Sequence, residues 1–269
     1  MSRRSNPRGE MPFLDHLEEL RWVVLWSLLA IMVGMGIGFA VVYLFDVLEL
    51  LIAPVREVAN DPDLMLQYLS PADPFFVTLK LALYLGLVLA SPIVVSQVWR
   101  FLSPALETRE RRAIVPALYF TVLLFLAGMS LAYFVALPVT LEFFNSFQEG
   151  SLTADLEINR TLGFIVKILI AFGVVFELPI VVLVLSMIGI VTPQWLRAKR
   201  RHAIVAIAAG ASVITPGDVI SLTILMMVPL VLLYEVGIWL SVLVYRRKKQ
   251  AAEELDADLD PPPDSVAAG

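Results

Sequence analysis

Six apolar runs punctuate the chain: Trp22–Phe45, Phe75–Val98, Ile114–Leu137, Leu162–Ile188, Ala203–Thr215 and Val219–Tyr245. A helix crossing a bilayer core takes about 20 such residues. Five of the runs reach that length. The fifth, at 13 residues, does not; it fits as a thin crossing that compresses the local bilayer. Hydrophobic residues make up 59% of the 269, and the mean hydropathy is +0.82. Ordinary soluble domains sit nearer half apolar. The composition therefore places the chain in lipid.

The basic residues decide the topology, because Lys and Arg collect on the cytoplasmic side. Arg3, Arg4, Arg8 and Arg21 precede the first run, and Arg100, Arg109, Arg111 and Arg112 separate the second from the third. Arg197, Lys199, Arg200 and Arg201 separate the fourth from the fifth, and Arg246, Arg247, Lys248 and Lys249 follow the sixth. The alternate connections hold only Arg56 and Arg160. Lys80 and Lys167 fall near the outer ends of their runs, where long cations snorkel. Six crossings with both termini cytoplasmic satisfy this pattern; five would put Arg246–Lys249 outside.

The expected fold is all-α: an integral membrane domain over residues 1–249 with an amphipathic helix at about 11–21. An acidic tail follows over 250–269, with six acids and three consecutive prolines. Little in it is apolar enough to bury, so it is expected to be disordered. The first run is too long for a cleaved signal peptide. Without cysteine and with two histidines, the chain has little for a metal site. No cofactor and no nucleic-acid partner are implied.

Charges inside the apolar runs are costly and face a bundle interior or a wet cavity. Glu177 interrupts "AFGVVFELPIVVLVL". It lies roughly 23 Å from the outer end of its span at 1.5 Å per residue. It reads either as a protonated core acid or as a polar spot on a substrate path. Gln97 falls at a similar depth, and Pro179 is expected to bend the helix beside Glu177. Glu235 is a second buried acid, structural or functional. Asp218, in the turn "TPGD", serves either as a helix N-cap or in function.

The segment "FLDHLEELRW" sets acids where the positive-inside rule would place cations. Phe13, Leu14, Leu17 and Leu20 make an apolar stripe. Asp15 and Glu19 lie four apart on another face, and Glu18 can pair with Arg21. In "WRFLSPALETRERR", Glu107 spaces to Arg111 and arginines flank Glu110. Carboxylates arranged this way suit a basic ligand, since guanidinium binds carboxylate in a bidentate, directional way. No phosphate loop, HExxH or GxSxG is present, and nothing indicates an enzyme. A GxxxG at Gly34–Gly38 marks a candidate helix-packing face. On the residues alone, a proton-coupled small-solute transporter using Glu177 and Glu235 is the competing reading.

"HLEELR" (16–21), "DPFF" (73–76), "SPIVVSQVWRFLSPAL" (91–106), "ERR" (110–112), "AYFVALP" (132–138), "AFGVVFELP" (171–179) and "TPGD" (215–218) occur in this order. Together they resemble the TatC family, the multi-spanning subunit of the twin-arginine protein translocase. The resemblance implies a curved, glove-like six-helix bundle in the inner (cytoplasmic) membrane. It implies a receptor for twin-arginine signal peptides of folded cargo, driven by the proton motive force. The implied partners are the single-span subunits TatA and TatB, within a receptor complex that is homo-oligomeric. It assigns signal-peptide binding to Glu19 and Glu110, with Arg21, Phe101 and Pro104 in the matching motifs. Glu177 is then the acid of the concave face. Two positions depart: the turn reads Pro216–Gly217 where the family often has two prolines, and Glu18 adds an acid beside Glu19.

Overall fold

The computed structural model describes residues 13–102, 114–146, 156–214 and 220–259. The chain divides into two compact units, Met1–Phe176 and Glu177–Gly269. Helices are the regular elements of both.

The first unit opens with α1 (Phe13–Leu44), α2 (Val47–Ala59) and α3 (Asp73–Leu102). The segment expected as an amphipathic helix is the beginning of α1, continuous with the apolar run. Helices α1 and α3 meet through glycine. A Cβ on Gly34 would lie 2.5 Å from the carbonyl oxygen of Gly86, one on Gly38 2.5 Å from that of Ala82, and one on Gly86 2.4 Å from the Met35 nitrogen. The GxxxG pair is thus a backbone-to-backbone contact that only hydrogen at Cα permits. Ascending α1 by four residues descends α3 by four, so the helices run antiparallel.

Next come α4 (Ile114–Leu131), a π segment (Ala132–Ala136), α5 (Leu137–Ser146) and α6 (Ile158–Val175). The expected span at Ile114–Leu137 is therefore not one regular α-helix. Pro138 has no N–H for the Phe134 carbonyl, and just ahead of it Leu137 N donates five residues back, to Ala132 O. A proline that removes a rung is a usual site for such widening. Tyr133, within the π segment, donates its hydroxyl to Leu50 O on α2 at 2.7 Å, and Asn145 Nδ2 reaches Val58 O at 3.3 Å. Helices α4 and α6 also touch at glycines: a Cβ on Gly128 would lie 2.7 Å from Phe172 O, and one on Gly173 2.8 Å from the Phe125 ring.

The connections at the far end of this unit are tied down. Gln67 N donates to Leu156 O at 2.9 Å and Gln67 O accepts from Ile158 N at 2.8 Å. Glu157 caps α6 by accepting from the Asn159 and Arg160 amides. Arg56 pairs with Glu49 and donates from Nε to Leu64 O. Lys80 does not simply reach for solvent: its Nζ donates to Asn159 Oδ1 at 2.9 Å, linking α3 to α6.

The second unit holds α7 (Leu178–Met187), α8 (Pro193–Ala198), α9 (Arg200–Ile214) and α10 (Ile220–Leu259). Helix α7 lies on α10. Ser186 Oγ and Ser241 Oγ are 2.8 Å apart and buried, and a Cβ on Gly237 would meet Val182 at 3.3 Å. Thr192 caps α8, its Oγ1 accepting from Trp195 N. Helix α10 continues to Leu259, so the first ten residues of the stretch expected to be disordered are helical. The sequence explains this: "AAEELDADL" is built of helix formers, and the helix ends before Pro261. Residues 260–269 lie outside the described residues.

Among the described residues, five stretches are long and apolar enough to cross a membrane: Leu17–Leu44, Asp73–Phe101, Tyr119–Asn145, Ile158–Met187 and Met227–Arg247. Only 17–33% of each hydrophobic window is buried within the protein. The outward Trp26, Met32, Phe120 and Trp239 are at least half exposed, an arrangement that lipid stabilises and water does not. At 15 residues, α9 falls short of that length, as its short apolar run anticipated.

Candidate functional site

At the N-terminal end of α1 the apolar stripe faces outward. Leu17 and Leu20 are exposed at 45% and 39%, whereas Glu19 is half-buried and Val23, one turn on, is 8% exposed. The inward line runs through Glu19 and Val23. The reason is the medium: outside a membrane helix lies hydrocarbon, so leucines gain nothing by turning inward and the acid does. One carboxylate oxygen, Glu19 Oε2, is wholly shielded from solvent. Glu18 and Arg21 are exposed.

The glycine contacts fix what stands opposite. Carried along the antiparallel pair from Gly34–Gly86 and Gly38–Ala82, the register puts Val23 level with Gln97 and Glu19 level with Phe101. Phe101 is half-buried, Gln97 likewise, and Trp99 between them is 2% exposed. The end of this helix pair therefore collects Glu19, Arg21, Gln97 and Phe101. Pro104 and Glu110, expected to complete the site, lie outside the described residues, as does Asp218.

Glu177 opens the second unit. It is half-buried, with Oε1 shielded from solvent. Helical hydrogen bonding is interrupted just before it. Phe176 N donates to Phe172 O, while the Glu177 carbonyl accepts from both Ile180 N and Val181 N at 3.0 Å. Pro179, buried at the start of α7, supplies no N–H to the Val175 carbonyl, which accounts for the interruption. Gln97, read from its depth as a companion of Glu177, belongs to the first unit.

Glu235 has a definite partner. Arg200 Nη2 donates to Glu235 Oε2 at 2.7 Å, between the start of α9 and the middle of α10. The adjacent Tyr234 donates its hydroxyl to Leu196 O at 2.9 Å. Two neighbours on α10 thus hold α8 and α9.

The profile of the family described as "Sec-independent protein translocase protein (TatC)" matches residues 15–229. The chain belongs to the TatC family. TatC of Aquifex aeolicus (strain VF5) is 38% identical over 243 residues, covering 89% of this chain and 98% of that one. TatC of Desulforapulum autotrophicum is 34% identical over 272 residues, covering 98% of each. A crystal structure of the twin arginine translocase receptor TatC superposes with a TM-score of 0.71 at 38% identity, covering 86% of this chain and 99% of that one. The same receptor crystallised in DDM gives 0.73, over 84% and 99%.

Membership makes this TatC-family chain a membrane protein of Sec-independent protein translocation. The family match includes Glu19, Arg21, Gln97, Phe101, Pro104, Glu110, Glu177 and Asp218 and stops short of Glu235. Among the residues that sequence reasoning missed, Arg200 stands out. It was counted only as a topological charge. No spacing in the sequence pointed to the pair, since Glu235 lies 11 residues inside Arg246, about 16 Å along the helix.

Proposed function

We propose that this chain is the signal-peptide receptor and core of a translocase that exports folded proteins on the proton motive force. It works in the inner membrane with TatA and TatB, as a homo-oligomer within the receptor complex. Six crossings over residues 1–249 with cytoplasmic termini complete the arrangement. Five long spans, the apolar α9 and the lopsided basic residues support that topology.

The observation that carries the reading is the inward placement of Glu19 at the end of the α1/α3 pair, level with Phe101. A carboxylate held on a helix and partly sheltered from water binds guanidinium more strongly than one free in solvent. Glu110 is the second acid, and Phe101 and Pro104 shape the loop around the peptide. Arg21 belongs to the same peptide-binding motif as Glu19. Glu177 offers a polar foothold for a peptide that inserts more deeply. Asp218 belongs to the extracytoplasmic turn. The transporter reading needs Glu235 as a carrier, whereas its ion pair with Arg200 accounts for that acid without one.

A pull-down with purified full chain tests the proposal. A twin-arginine peptide is retained, its Lys-Lys version is retained at least about tenfold less, and Glu19→Gln removes the difference. Equal retention of the two peptides refutes it.

A further inference from the structure

The second unit carries a groove that the receptor reading does not use. Its volume is about 450 Å³, and it lies between α8/α9 and the C-terminal half of α10. Trp239, Val242, Leu243 and Arg246 line it from α10. Their spacing of three, four and seven residues is that of a single helix face. Arg197 and Arg200 line it from the other side. Trp239 to Arg246 covers roughly 10 Å at 1.5 Å per residue, so the α10 wall runs from apolar to cationic.

Its charge is not internally balanced. Arg200 is engaged by Glu235. Arg197 and Arg246 make no ion pair among the described residues, and both are exposed. Two guanidinium groups without an ion pair among the described residues therefore line the groove, Arg197 from one wall and Arg246 from the other. On the α10 wall, Trp239 is 72% and Leu243 53% exposed. An occupant therefore needs anionic oxygens with hydrocarbon next to them. The cationic lining repels a twin-arginine peptide, so this is not a second docking place for that ligand.

We propose that the groove is a binding site for an anionic phospholipid. The headgroup phosphate accepts from Arg197 and Arg246 at the membrane surface, where guanidinium pairs are bidentate and directional. One acyl chain runs down the face of α10 along Leu243 and Val242 towards Trp239. Basic pockets between membrane helices recognise lipid headgroups in this way. The α10 wall lies beyond the family match, which ends at residue 229.

Native mass spectrometry of the full chain, released from neutral detergent with added phosphatidylglycerol or phosphatidylcholine, reads the site directly. Wild type is expected to retain phosphatidylglycerol over phosphatidylcholine. The double variant Arg197→Gln/Arg246→Gln is expected to lose that preference by on the order of tenfold, two surface charges being removed. A charge-matched control, Arg201→Gln/Arg247→Gln, changes two arginines outside the groove and is expected to keep it. Matching thermal midpoints establish that both variants are folded. Equal retention by wild type and the groove variant overturns the proposal and leaves the groove to an acidic partner segment. Equal loss in the control overturns it in favour of diffuse surface charge.

Discussion

Arg200, the first residue of α9, and Glu235, midway along α10, are joined by a 2.7 Å hydrogen-bonded ion pair. Both side chains are more than a third exposed, at 47% and 37%, so the pair contributes modestly, about 1 kcal/mol or less. Glu235→Gln and Arg200→Gln are expected to lower the thermal midpoint slightly. A double-mutant cycle should give a favourable coupling of that size. A coupling indistinguishable from zero would remove the pair from the account of how α9 is held.

Gly86 tolerates no side chain. A Cβ there would come within 2.4–2.7 Å of the backbone of Gly34 and Met35, and backbone cannot rotate out of the way. Gly86→Ala is expected to destabilise by about 1–3 kcal/mol, the usual cost of overpacking. Gly36→Ala is the control, since nothing lies within 4 Å of its added methyl, and it should be neutral or slightly stabilising. Thermal unfolding in detergent separates the two.

The buried Ser186–Ser241 contact behaves differently when broken from one side and from both. Either single alanine variant leaves a hydroxyl without its cross-helix partner and is expected to cost about 0.5–2 kcal/mol. The double alanine variant should cost less than the two singles added together. Strict additivity in denaturation measurements would mean that the hydroxyls do not act together.

Glu19→Ala and Glu110→Ala are each expected to weaken crosslinking to a twin-arginine signal peptide. Removing a charge-assisted hydrogen bond costs about 1.5–3 kcal/mol, or roughly tenfold to a hundredfold in affinity. Crosslinking at the wild-type level in the double variant would withdraw both residues from docking.

Glu177→Ala separates two stages. Surface docking should survive, because Glu19 is untouched, while transport of a folded reporter in membrane vesicles falls. Undiminished transport would assign Glu177 a purely structural role.

Much of the fold could be read from apolar run length and the distribution of cations, because a membrane demands long helices and sorts charge by side. The glycine spacing at 34 and 38 also pointed to its contact. What could not be read depends on tertiary pairing or on the medium. The leucine stripe at residues 14–20 did not say which face turns inward. In lipid the inward residue is Glu19. The π segment before Pro138 has no periodic signature, since one proline rung shifts the ladder without changing the hydrophobic pattern. The partner of Glu235 lies 35 positions away. The helical start of the tail was hidden by its acidity, which argues against burial but not against helix.

The bare backbone crossing of Gly34 and Gly86 has a mechanical consequence. With no side chains between the two helices, sliding one past the other would open a gap too thin for an acyl chain to enter, forfeiting dispersion contacts along its length. α1 and α3 are therefore expected to travel as one girder. An arriving peptide would push against an anvil at residue 19, and the yielding parts would be the joints elsewhere in the chain.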